Sequence, residues 1–282
     1  MDYVDPVSVT RAMIEAAATK IKLPATQLLL RGSISGALLA FATSLAFVSN
    51  AQGLPPLVGA IIFPVGFAMI VVLGLELVTG SFALIPLMVF EGETSVAGAA
   101  INLSWVFCGN LLGALFYAVL LSAIQTQFYR QAPTGAAALM VAAAEAKTIG
   151  YAKLGASGLA IAFIKAILCN WMVCMGVVMG MTSRSTLGKI VASWLPVLTF
   201  FAQGFEHSVV NMFLIPAGMM MGAKVSLRQW WFWNQIPVTL GNVFGGAIFV
   251  GLAMYIAFVR KAAPRMAVRE EPVATALPME AA

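Results

Sequence analysis

Six stretches of the chain are almost purely apolar, at 32–48, 57–90, 96–124, 158–181, 190–221 and 236–259, and the polar residues gather between them. A membrane-spanning helix takes about 20 apolar residues, so the pattern predicts six spans. The second and fifth stretches run well past that length. Each carries Gly, Pro and a carboxylate near its middle, which predicts a helix broken at mid-membrane. Ahead of the first span, Asp5-Pro6 opens a segment at 7–22 with apolar residues at helical spacing. That spacing predicts an amphipathic helix lying on the membrane surface. Its acidic start and the lack of a small-residue cleavage site argue against a signal peptide.

Composition agrees with the pattern. The 282 residues are 61% apolar and 10% charged, whereas a soluble domain carries about 25% charged residues. Soluble, disordered, coiled-coil and disulfide-rich classes are excluded. A net charge of +5 could suit nucleic acid, but the cations are scattered between lipid-length runs, so no nucleic-acid partner is expected. Ten Lys and Arg flank the side that holds both termini, five flank the other, and Lys165 falls inside the fourth span. The positive-inside rule then places both termini in the cytoplasm. The expected domains are an N-terminal helix and lead-in at 1–31, a transmembrane domain at 32–259, and a disordered tail at 260–282.

Two of the spans share a skeleton. Gly74-Leu75-Glu76-Leu77-Val78-Thr79-Gly80, continuing to Ile85-Pro86, matches Gly204-Phe205-Glu206-His207-Ser208, continuing through Asn211 to Ile215-Pro216, at an offset of 130 residues. Asn102 matches Asn234, Gly109-Asn110 matches Gly241-Asn242 and Gly113 matches Gly245, at an offset of 132. Three spans per repeat is an odd number, so the halves enter the membrane in opposite directions. Inverted repeats with interrupted helices place their binding site where the breaks meet. Helix N-termini there carry partial positive charge and suit an anion.

The break motifs, with Cys169-Asn170-Trp171-Met172-Val173-Cys174 and Ile236-Pro237-Val238-Thr239-Leu240-Gly241-Asn242, resemble the formate/nitrite transporter family. The resemblance covers the second to sixth spans. It implies a homopentamer in a bacterial cytoplasmic membrane, each protomer an aquaporin-like six-helix pore for small monovalent anions such as formate, nitrite or hydrosulfide, often moved with a proton. It implies that His207 and Asn211 lie at the pore centre with Thr79 facing them. Aromatic constrictions at Phe63 and Phe200 would stand on either side of the His, and the flexible loop would run through Leu77, Val78 and Thr79. The family usually has Phe where this chain has Val78. A vestibule lysine that recruits anions falls on Lys147 by its Ala-x-Lys context or on Lys153 by spacing, and Lys147 is favoured.

Each residue also has a plainer reading. A lone His is more often structural in soluble proteins, but inside a span ionisable groups are costly and mark pathways. Glu76 and Glu206 could carry protons, but the favoured expectation is that they accept backbone N–H groups freed at the breaks, with Asn170 and Asn242 as partners that fix their orientation. Thr79 and Asn211 could donate to an anion or simply tie helices together. One His, without a second His, a Cys pair or an Asp at ligand spacing, makes a metal site improbable. With no phosphate-binding Gly-rich loop either, no cofactor and no enzyme activity are expected. The transport expectation is that the anion is protonated at the centre, by His207 or through water polarised by it, because the neutral acid crosses a greasy constriction far more easily. The alternative is a passive aquaporin-like channel for water or small neutral solutes.

Overall fold

The computed structural model describes residues 2–259, and the tail expected at 260–282 lies outside them. Among the described residues the fold is helical, with one isolated β-bridge between Tyr3 and Ser183. The first helix, α1 (Pro6–Lys20), opens on Asp5, whose Oδ1 accepts the N–H groups of Val7 and Ser8 at 3.0 Å. That cap and Pro6 in the first turn satisfy donors that a helix start otherwise leaves free. Val9, Met13 and Ala17, one stripe at helical spacing, are buried in a cluster with Leu84, Leu87, Cys174 and Val250. The apolar face therefore packs on protein, where the sequence pattern had predicted a lipid surface.

Four helices are long and apolar enough to cross a membrane: α2 (Ala25–Ala51), α6 (Val96–Gln125), α8 (Ala156–Met181) and the last helix, Leu227–Phe258. The two overlong segments break as their Gly and carboxylate content predicts. The first gives α3 (Pro56–Ile62), α4 (Pro64–Val72) and α5 (Val78–Phe90), and the second gives α9 (Thr186–Ala202) and α10 (Ser208–Met220). One helix was not among the expected segments. The alanine-rich α7 (Gly135–Glu145) fills the connection between α6 and α8 and packs on α10 and α2.

The long helices pair closely, α2 with α6 and α8 with the last helix. A methyl group at Gly109 would lie 2.6 Å from the Leu29 carbonyl oxygen, and one at Gly241 would lie 2.5 Å from that of Phe163. Small residues bring the helix backbones together at both places. This closeness puts the side chains next to each glycine, Asn110 and Asn242, within reach of the breaks.

Candidate functional site

Both breaks follow one backbone path. Gly74 and Gly204 take φ of 63° and 64°, a left-handed conformation that only glycine adopts freely. Leu77 (φ −114°, ψ 117°) and His207 (φ −110°, ψ 121°) then run extended into α5 and α10. Unwinding frees backbone groups that must find partners away from water. The Val78 N–H donates to Asn110 Oδ1 at 2.9 Å, and the Ser208 N–H to Asn242 Oδ1 at 2.8 Å. Asn110 Nδ2 donates to the carbonyls of Glu76 and Gly32, and Asn242 Nδ2 to those of Glu206 and Ala166. The sequence expectation gave the freed N–H groups to the glutamates. Asparagine holds them instead, because one amide both accepts and donates and so ties N–H and C=O groups together.

The glutamate side chains take cations. Lys20 Nζ lies 2.7 Å from both carboxylate oxygens of Glu76, and Lys147 Nζ lies 2.8 Å from Glu206 Oε1. Asn102 Nδ2 donates to the Lys20 carbonyl and Asn234 Nδ2 to the Lys147 carbonyl, each at 3.0 Å, so the two arrangements correspond. Glu206 is held further by Tyr151 Oη at 2.7 Å, Asn211 Nδ2 at 2.7 Å and Asn234 Nδ2 at 3.3 Å. Lys147 and Asn234 both sit in single π-helical turns, Ala146–Gly150 and Trp231–Gln235, an irregularity that often marks functional positions. Lys153 is exposed and forms no ion pair among the described residues.

Between the breaks, His207 Nε2 lies 3.1 Å from Thr79 Oγ1, and Nδ1 accepts the Val210 N–H at 3.2 Å. Both side chains are buried. Asn170 is also buried, but it reaches neither glutamate carboxylate: its Nδ2 donates to the carbonyls of Thr79 at 3.0 Å and Asn242 at 2.7 Å. Asn242 likewise touches the backbone of Glu206, not its carboxylate. Asn211 turns its amide to Glu206 and Asn234 and leaves a buried Oδ1 without a partner.

The aromatic residues depart from expectation. The ring of Phe200 stacks on His207 at 5.6 Å, and Phe63 packs edge-on against Phe200 at 5.8 Å and stacks on Phe201 at 3.9 Å. Phe63 and Phe200 are thus one cluster in mutual contact, not two gates flanking the His. Phe63 comes to Phe200 because α4 packs on α9. Leu77 instead lines a cavity of about 390 Å³ that Lys20, Arg31, Lys189 and Glu76 also border, while Val78 is buried and does not line it. Sequence reasoning missed Lys20 and Tyr151 as site residues. Lys20 looked like one more flanking cation, and Tyr151 lies 55 residues from its partner. The repeat itself signalled Asn102, Asn110 and Asn234.

Four apolar helices of membrane-spanning length, with two interrupted apolar segments whose breaks meet at one buried polar centre, define a transmembrane channel or transporter. The chain belongs to the formate/nitrite transporter family, whose model matches residues 7–256. It is 37% identical over 276 residues to a probable formate transporter of Methanothermobacter thermautotrophicus, covering 92% of this chain and 98% of that one. It is 33% identical over 227 residues to the formate channel FocA of Escherichia coli K12, covering 74% and 76%. A solved FNT family ion channel superposes with a TM-score of 0.75 at 27% identity, over 88% of this chain and 98% of its own. A solved pentameric formate channel with formate bound gives 0.67 at 25% identity, over 84% and 98%.

Proposed function

We propose that the protein moves small monovalent anions together with protons across a bacterial cytoplasmic membrane, with formate as its first substrate and nitrite or hydrosulfide as neighbours in size. The observation that carries this reading is the buried His207–Thr79 pair set between the starts of α5 and α10. Helix N-termini favour negative charge, while a buried centre with an aromatic neighbour opposes a bare anion. An anion that gains a proton as it leaves water escapes this opposition. Lys147 and Lys20 hold the approaches, the anion takes its proton through water polarised at the centre, and the neutral acid passes the Phe63–Phe200 cluster. The corresponding hydrogen bonds at the two breaks support two inverted three-span halves in an aquaporin-like arrangement. We place both termini in the cytoplasm by the charge bias, and we assign a homopentamer by likeness to the pentameric formate channel.

The test is a panel of labelled formate, nitrite, hydrosulfide, glycerol and water on purified protein in liposomes. Formate uptake that rises with an inward proton gradient, without glycerol flux, is the expected result. Glycerol or water flux without anion uptake would support the passive channel instead.

A further inference from the structure

Two helices that share little sequence, α2 and α8, correspond in space. Asn110 Nδ2 donates to the Gly32 carbonyl and Asn242 Nδ2 to the Ala166 carbonyl. A methyl group at Gly109 would meet the Leu29 carbonyl oxygen and one at Gly241 that of Phe163, and Gly113 and Gly245 stand in the same way against Ser33 and Ile167. These pairs set a constant offset of 134 residues between the two helices. Arg31 and Lys165 are therefore mates, each a cation just before the small residue whose carbonyl the break asparagine holds. Arg31 borders the cavity beside the first break with Lys20, Glu76 and Lys189. Lys165 falls on α8 between Ala162 and Ala166, which pack on Tyr151, and Tyr151 Oη holds Glu206 beside the second break.

Lys165 is the tenth residue of the apolar α8, about 14 Å in from its start at a rise of about 1.5 Å per residue. It is partly buried and makes neither an ion pair nor a side-chain hydrogen bond among the described residues. A cation at that depth is costly, and it stands where it faces a water-filled path or a counter-charge. From residue 126 to residue 259 the chain has two carboxylates. Glu206 is closed on Lys147, and Glu145 accepts the Lys224 N–H at 2.8 Å. The counter-charge of Lys165 therefore comes from outside this chain. Arg31 likewise has no ion pair among the described residues, and its Nη2 donates to the neutral Gln27 Oε1 at 3.0 Å. We infer that Arg31 and Lys165 bind the permeant anion, one at each mouth of the pore, before it meets the closed Lys–Glu pairs. Glu76 and Glu206 cancel the charges of Lys20 and Lys147, so the attraction in each low-dielectric cleft comes from the uncommitted cation. The identity of the anion rests on the proposed transport function; the placement of the two cations rests on the helix correspondence.

Thiol labelling of the full-length protein tests the placement without transport. The background is Cys108→Ser, which leaves the buried Cys169 and Cys174. Lys165→Cys should react with the membrane-impermeant sulfonatoethyl methanethiosulfonate in right-side-out bacterial vesicles, and Arg31→Cys only in everted ones. Labelling by membrane-soluble N-ethylmaleimide alone, or from one side for both, would overturn the placement whether or not formate is carried. Lys165→Met should raise the half-saturating formate concentration for entry from its own side about fivefold, the attraction of two unit charges about 4 Å apart in water, with the maximal rate nearly unchanged. Arg31→Met should do the same for the opposite direction only. Aminoethyl methanethiosulfonate, which returns a positive charge to Lys165→Cys, should restore the wild-type value. An unchanged half-saturating concentration, with the labelling intact, would rule out anion binding at these residues. Phosphatidylglycerol that copurifies with the wild type and is lost in Lys165→Met would also overturn it, giving the residue to a lipid headgroup. If the wild-type protein carries none of the panel anions, the transport reading fails and anion binding with it, while the labelling still decides where the two cations lie.

Discussion

At the scale of single residues, Lys147 decides whether Glu206 is tolerated. The carboxylate side chain is 1% exposed and the lysine 21%, so removing the cation strands a buried charge. Breaking a buried pair by deleting one partner costs about 3–5 kcal/mol, and the partial exposure of Lys147 places this case near the lower figure. Lys147→Ala should therefore lower both thermal stability in detergent and initial anion uptake, with the uptake loss greatest at low salt, where screening is weakest. Lys153→Ala should leave stability within about 0.5 kcal/mol, as exposed substitutions usually do, and should change uptake far less. Differential scanning fluorimetry and uptake at two ionic strengths check both. A larger loss at Lys153 would transfer the recruiting role to that residue. The Ala-x-Lys context picks out Lys147 in the sequence, but nothing there pairs it with Glu206. The two are 59 positions apart, and α7, which precedes Lys147 and packs on α10, was not foreseen.

At the scale of elements, the two asparagines on α6 and the last helix hold the breaks open. Asn242 makes three buried hydrogen bonds, to the Ser208 N–H and to the carbonyls of Glu206 and Ala166. Each group left unsatisfied in a dry site costs about 1–3 kcal/mol. Asn242→Ala should thus destabilise the protein by several kcal/mol, more than any exposed change on the same helix, and should raise hydrogen exchange at 203–208. Normal exchange there would show that the break is held by other means. The breaks themselves were legible, since Gly74 and Gly204 fell at matching places in overlong apolar runs. The repeat also singled out both asparagines, but periodicity could not say which polar atom meets which, and the glutamates were given the work that Asn110 and Asn242 do. Contact between distant segments, such as Phe63 with Phe200, was likewise beyond a pattern that reads only neighbours along the chain.

The N-terminal segment offers a pH test at the same scale. Asp2 is held below its ordinary value near 3.8 by the Ser183 hydroxyl and the N–H groups of Ser185 and Arg184. A carboxyl depressed in the folded state contributes stability above its unfolded value and loses it as pH falls through the folded one. Protection of residues 2–5 against hydrogen exchange should therefore be constant above about pH 4 and decline below it. Asp2→Asn should show reduced protection throughout, with no step in that range. A step in the variant would assign the titration to another group.

At the scale of the whole molecule, every group of the centre comes from one chain. The ion pairs Lys20–Glu76 and Lys147–Glu206 and the His207–Thr79 contact all close within a single protomer. In the proposed ring of five, each pore is therefore expected to work without a residue from its neighbour. Exposed apolar side chains such as Ile101, Leu112, Phe116 and Ile124 on α6 are surface that such an assembly or lipid would cover, and each protomer is expected to conduct alone. Heterologous contacts of this kind close into rings without changing the inside of a subunit. This makes a quantitative prediction for mixed oligomers. When wild-type protomers are co-expressed with a Thr79→Val form in varied ratio, formate uptake per assembly should fall in proportion to the blocked fraction. Tagged assemblies sorted by native mass spectrometry give the ratio, and liposome uptake gives the flux. A loss steeper than proportional would mean that protomers open together or share a path through the ring axis, and the single-chain pore would have to be abandoned.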